Sequence, residues 1–347
     1  MYKISKKILV VGGAGYVGSV LVPKLLHKGY RVRVFDLYTY SKSKQLGKDI
    51  FGELINNPSL EQIKGDVRNS KAIDKAVIGM DAVIHLACLS NDPSVELDRT
   101  LGKSINYLSF FHFLKAVNKH KIKRLIFAST PSVYGVKEEN EVTEDLPLEP
   151  LTDYGLCKVF CEKAITDLVP LKQTSWVILR PSTVCGYAPR MRLDLSVNIL
   201  TNLAVNKGVI TVFGGSQQRP NLHIDDATDL YVSMLEYPDH KIAGKIFNAG
   251  NENLSILQIA KKVKKIVDKV MPKDKKVKIE ISPSIDDQRS YRVSWKKINK
   301  ELGWKPKKTI DDAIYELTEA FKAGKLPNSL EDPIYFNIKR LQQINFK

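Results

Sequence analysis

Apolar residues come in short unbroken blocks through the first half of the chain. KILVV (7–11), RVRVFD (31–36), DAVIHLA (81–87), RLIFAST (124–130) and SWVILRP (175–181) each read as a strand, with IKGDV (63–67) as a shorter one. Between them the period changes. VGSVLVPKLLHKG (17–29), SKAIDKAVIG (70–79), TLGKSINYLSFFHFLKAVNKH (100–120) and LTDYGLCKVFCEKAITDL (151–168) carry apolar residues at helical spacing. Gly29 ends the first of these helices, and Thr152 is placed to cap the last. Strands that are apolar along their whole length are covered on both faces. Their alternation with helices predicts a parallel α/β sheet with right-handed crossovers.

Beyond residue 184 the pattern loosens. Short strands (VITVFG, NLHI, KIFNAG, VKIEIS) mix with helices (DATDLYVSMLEY, SILQIAKKVKKIV, VSWKKINKEL, TIDDAIYELTEAFKAG). The expected division is a main domain over 1–184, to which a strand and helix near 221–237 return. A smaller mixed α/β lobe then fills most of 185–325, and an extension covers 326–347. That extension is either a docked segment or an oligomer contact.

Composition removes several classes. No apolar run approaches the roughly 20 residues of a membrane span, so no membrane insertion is expected. Cys88, Cys157, Cys161 and Cys185 form no CxxC pair, and the six histidines lack ligand spacing. They read as buried thiols in a reducing cytoplasm, with no metal site. The formal net charge of +16 raises nucleic acid as a partner. However, stretches such as IAKKVKKIVDKV (259–270) set their lysines at helical spacing against an apolar face. That is a solvated surface, compatible with attracting a small anionic substrate but predicting no nucleic-acid partner.

The first strand runs directly into VVGGAGYVGS (10–19). An ordinary tight turn would explain glycines here, and so would a phosphate. Gly12 permits the sharp turn, Gly15 lets backbone approach a pyrophosphate, and Gly18 lets the helix pack against the strand. Tyr16 and Val17 lie within the same turn, at a helix N-terminus that favours anions. Asp36, about 20 residues on at the end of the second strand, suits ribose hydroxyls and repels a 2′-phosphate. The expected cofactor is therefore NAD.

Tyr154 and Lys158 are four apart on a helix and share a face. An adjacent ammonium favours the phenolate, which predicts a Tyr154 pKa lowered toward the working range of a general base. Ser129, Thr130 and Ser132 end the preceding strand, where open parallel sheets place ligands.

Taken together, GGAGYVG, GDVRN, HLAC, STPSVYG, YGLCK, LRPSTVCG and RPNLHIDDA resemble the extended short-chain dehydrogenase/reductases of the sugar-nucleotide epimerase/dehydratase kind, over essentially the whole chain. The resemblance implies a Rossmann-type doubly wound sheet with a smaller C-terminal substrate lobe. It implies Tyr154 as base, Lys158 as its partner and Thr130 as catalytic hydroxyl. Asp66 and Val67 would flank adenine, Leu86 and Ala87 line the cofactor groove, and Pro181 and Val184 lie near nicotinamide. Asn198, Arg219 and Arg289 would hold the diphosphate of a nucleotide sugar, and Ser90, Asn91 and Ser132 would reach the sugar. Pairing of the chain as a homodimer through two helices is also implied, as is a role in surface polysaccharide or glycoconjugate synthesis. The 4,6-dehydratases of this kind carry Asp-Glu after the catalytic Thr, where this chain has Pro131-Ser132. Three outcomes stay open: 4-epimerase, 4-dehydrogenase or another dehydratase on a nucleotide sugar or heptose, and a non-catalytic dinucleotide-binding scaffold.

Overall fold

A computed structural model describes residues 6–90, 92–137, 139, 141–272, 276–283 and 290–347. Strands β1 (Lys7–Val11), β2 (Arg31–Asp36), β3 (Leu60–Lys64), β4 (Ala82–His85), β5 (Arg124–Ala128) and β6 (Ser175–Pro181) come first. There follow β7 (Thr183–Cys185), β8 (Val209–Phe213), β9 (Gln218–His223), β10 (Lys245–Ala249), β11 (Glu252–Ser255) and β12 (Lys278–Ser282). The main sheet has seven strands in the order β10-β6-β5-β4-β1-β2-β3. Every pairing in it is parallel. The unbroken apolar strands are the reason. Ile8, Leu9, Val10 and Val11 are all fully buried, because helices cover the sheet on both sides.

One face packs against the helices Gly18–His27 and Ile224–Glu236 through Leu21, Leu25, Leu230 and Met234. The other packs against Ser70–Val77, Ser109–Lys119 and Asp153–Leu168 through Ile73, Phe113, Leu114 and Ile165. The long helical stretch predicted over 100–120 is interrupted by a π-helical turn, Ser104–Leu108.

The returning segment differs from expectation in one element. The helix near 224–236 does pack on the main core, but the strand before it does not join the main sheet. β9 pairs with β7 and β11 in a separate three-stranded sheet. The strand that returns is β10, in register with β6 from Lys245↔Val177 to Ala249↔Pro181. Trp295, Ile298 and Trp304 also pack on the main core, so the chain crosses between lobes more than once.

The smaller lobe packs the helices Ser196–Lys207, Ile256–Val270 and Ile310–Lys322 around Val197, Ile210, Val263 and Ile314. On the second of these helices Ile259, Val263 and Val267 are buried while Lys261, Lys265 and Lys269 are exposed, as a solvated face requires. Among the described residues no helix is long and apolar enough to cross a membrane. The segment from Pro333 to Lys347, with its helix Asn337–Gln343, lies against the main lobe.

Candidate active site

Strand order reverses at β1, which sits between β4 and β2, and that break opens a crevice at the carboxyl ends of the strands. A cavity of about 1320 Å³ occupies it. It is lined by the turn after β1, the ends of β4, β5 and β6, and the smaller lobe.

The glycine turn is shaped by what a side chain would meet. Gly12 has φ +84°, and a Cβ there would lie 2.6 Å from the Ala87 amide nitrogen. A Cβ on Gly18 would lie 2.3 Å from the Gly13 carbonyl oxygen. Gly15 is different: its Cβ would meet only the Gly12 oxygen, at 3.3 Å, so this residue presents bare backbone to the cavity. The helix that follows has no side-chain cap at Val17. Its first amides and positive dipole end are thus available to an anion. This cradle fits a dinucleotide diphosphate.

Asp36 ends β2 at the cavity wall, and its carboxylate accepts from the Ala14 amide (3.0 Å) and the Tyr38 amide (2.7 Å). Burial raises its pKa, while those two amides pull it back. Leu86 and Ala87 donate their amides to Val11 O at 2.8 and 2.9 Å, which fixes the opposite wall. Asp66 and Val67 line the cavity as well, with Asp66 paired to Arg68 at 2.6 Å.

Tyr154, Thr130 and Lys158 meet in the same cavity. Thr152 caps the Tyr154 helix, accepting from the Gly155 amide at 3.2 Å. Thr130 stands at the end of β5, accepts from the Ser132 amide at 3.2 Å and hydrogen-bonds the Tyr154 phenol. The expectation for Tyr154 acidity is overturned here. Its pKa lies well above the ordinary phenol value because the ring is buried, and Cys88 and Asp92 push the same way. Lys158 does not offset this. Its ammonium donates to Ala128 O at 2.7 Å and lies 6.0 Å from the Tyr154 ring centroid, over the Phe127 ring at 4.8 Å. In the ligand-free chain the phenol holds its proton.

A buried network lies beneath these groups. Glu162, on the Tyr154 helix, pairs with Arg180 of β6 at 2.9 and 2.6 Å and accepts from Ser129 Oγ. Arg180 also donates to the Tyr134 hydroxyl (2.7 Å), which donates to Asn248 Oδ1 of β10 (2.8 Å). The network ties the Tyr154 helix to β6, to β10 and to the residue that follows β5.

A model of the NAD dependent epimerase/dehydratase family matches residues 8–250. The chain belongs to that family. Its cofactor is NAD, and it is an enzyme. UDP-glucose 4-epimerase of Lactobacillus helveticus is 28% identical over 334 residues, covering 89% of this chain and 94% of that one. The Dictyostelium discoideum UDP-glucose 4-epimerase is 27% identical, covering 96% and 100%. Among solved structures, UDP-glucuronic acid 4-epimerase from Bacillus cereus, in complex with UDP-glucuronic acid and NAD, superposes with a TM-score of 0.80. It is 27% identical and covers 91% of this chain and 99% of its own. The dTDP-glucose 4,6-dehydratase DesIV of Streptomyces venezuelae shares the fold, with a TM-score of 0.80 at 21% identity and coverage of 94% and 99%.

The remaining family positions divide. Pro181, Val184, Ser132, Ser90 and Arg219 line the cavity, as do Tyr16 and Val17. Arg219 donates Nη1 to Gln218 O at 2.9 Å. Asn198 does not line the cavity. It is fully buried, donating to Tyr16 Oη (3.1 Å) and Arg192 O (2.8 Å) and accepting from the Gly186 amide (3.1 Å). Its amide is thereby committed to holding the loop after β7, not a diphosphate. Asn91 and Arg289 lie outside the described residues.

Among the wall residues, Cys88, Arg190 and Arg192 fall in the loops 88–100 and 185–194, which the sequence marks as candidate substrate-choosing segments without singling these residues out, and Tyr40 and Asn337 escaped the sequence reading altogether. Two arginines one residue apart in the loop APRMRLDL were a usable signal. Nothing in the unpatterned C-terminal sequence pointed to Asn337.

Proposed function

We propose that this family member is a nucleotide-sugar 4-epimerase. The observation that supports the reading is that Tyr154 and Thr130 line one continuous cavity with the glycine cradle and with Arg219 of the smaller lobe. When bound, oxidised NAD supplies a hydride acceptor and a positive ring charge. Tyr154 takes the proton of the sugar C4 hydroxyl and returns it after the keto sugar has turned over. Thr130 steadies the reacting oxygen, and Lys158, anchored on Ala128 O, serves the ribose hydroxyls of the cofactor. The raised phenol pKa means that a positive charge must arrive with the ligands before Tyr154 works as a base at neutral pH. Arg219 offers a planar fork to the substrate diphosphate. Pro131 and Ser132 supply no carboxyl beside Thr130, which disfavours 4,6-dehydration. Such a product serves surface polysaccharide or glycoconjugate synthesis in the cytoplasm.

We also propose a homodimer. Leu108, Phe111, Leu156 and Phe160 are large apolar residues left exposed on two adjacent helical segments, and Tyr107 packs between Phe111 and Phe160.

The test is turnover of UDP-, GDP-, dTDP- and CDP-sugars by the purified chain, read by product NMR and by reduced-cofactor absorbance. An epimerase interconverts C4 epimers without accumulating NADH, and accumulation with a released keto sugar would make the chain a dehydrogenase. Tyr154→Phe lowers kcat by about 10²–10⁴-fold with NAD binding kept. Inertness toward the whole panel defeats the substrate assignment, and unchanged turnover in the variant defeats the role of Tyr154.

A further inference from the structure

Arg190 enters the cavity from the smaller lobe's loop, yet its backbone amide reaches Ser19 Oγ at 3.4 Å, in the first turn of the helix that begins at the glycine cradle. Its side chain is buried, with 5% of the residue exposed. The guanidinium carbon lies 3.6 Å from the Tyr40 ring centroid, and Nη2 donates to Asn337 Oδ1 at 2.7 Å. Nε is buried with no partner among the described residues. No carboxylate there forms an ion pair with it, and Asp36 and Asp194 act on it only at longer range. Arg192 also has a buried nitrogen without a partner among the described residues, Nη2, but its charge is already met, because Asp194 takes its Nε (3.0 Å) and Ser90 its Nη1 (3.1 Å). Arg190 is therefore a desolvated fork with donors to spare. Such a group is costly unless an anion completes it.

Asn337 controls where that fork points. Its amide nitrogen donates to Ser90 Oγ at 3.0 Å while its oxygen takes Arg190. Its backbone amide is tied to Asp194 at 3.0 Å, and Arg340 of the same helix donates to Thr39 O at 2.8 Å, next to Tyr40. Leu341 and Phe346 of this C-terminal strap line the cavity.

We propose that Arg190 is a second anchor for the NAD diphosphate, aimed by Asn337, so that the C-terminal strap retains the cofactor. The idea rests on NAD occupying the glycine cradle. It is tested on ligand-free chain by calorimetric titration with NAD, with ADP-ribose, with adenosine and with UDP. Arg190→Met is expected to weaken NAD and ADP-ribose by about tenfold or more, the worth of a charge-assisted hydrogen bond, and to leave adenosine unchanged. Asn337→Ala is expected to give a smaller loss and a faster release of NAD in stopped flow. Arg190→Gln, uncharged and still polar, is a second variant that keeps the test open if Arg190→Met folds poorly, and its NAD affinity is expected to depend less on salt than that of the unmodified chain. Unchanged NAD affinity overturns the proposal. So does an equal loss for adenosine, which marks a structural effect, or a loss confined to UDP, which gives the arginine to the substrate. Failure of the unmodified chain to bind NAD would instead sink the parent reading.

Discussion

His85 ends β4 with its ring buried against Phe110, Phe113 and Phe127, at 5.1, 4.6 and 5.9 Å. Burial, with help from Lys158, lowers its pKa from 6.5 to about 3. The folded pKa lies below the unfolded one, so the neutral imidazole stabilises the fold above about pH 6.5. That contribution drains away as pH falls toward 3. Two units of acidification below 6.5 cost about 3 kcal/mol through this group. Calorimetry should show a midpoint falling steeply between about pH 6.5 and 4.5, and falling less in His85→Phe, which keeps a ring in place. Parallel profiles would remove His85 from the acid response. At this scale the sequence was only half legible. The spacing of Tyr154 and Lys158 was visible, but the sign of the phenol shift was not. Burial and the diversion of the ammonium to Ala128 O decide that sign, and both come from distant chain. Asn198 shows the same limit: its identity matched a binding position, while three neighbours had already claimed its amide.

Elements were more legible, because a period of two or 3.6 is local and burial follows from it. The misassigned return strand shows where local reading stops. NLHI and KIFNAG are both short apolar runs, and only the partners available at the edge of β6 choose between them. What locks the Tyr154 helix to that sheet is the Glu162–Arg180 pair, whose side chains are 4% and 2% exposed. Removing one member strands a buried charge. Glu162→Ala is therefore expected to lose about 3–5 kcal/mol in denaturant unfolding, and replacing both residues by Leu and Met is expected to recover much of it. Equal losses in the single and double variants would show that the pair is not what holds the helix.

For the whole molecule, part of the +16 charge sits where the helical spacing predicts, with Lys261, Lys265 and Lys269 exposed opposite the buried apolar residues of Ile256–Val270. The exposed apolar residues carry the prediction at this scale. Phe160→Glu, in the centre of the proposed pairing face, is expected to yield monomers in analytical ultracentrifugation with NAD affinity kept. A monomeric parent chain would refute the pairing. The strand β10 bears on how the protein is made. The cofactor-binding lobe borrows its last strand from residues 245–249, past the first part of the other lobe. A ribosome that has released only the first 184 residues has produced a sheet with a raw edge at β6. Nascent chains should therefore resist proteolysis only after Ala249 has cleared the exit tunnel, and cutting the gene at the apparent domain boundary should give an aggregating fragment.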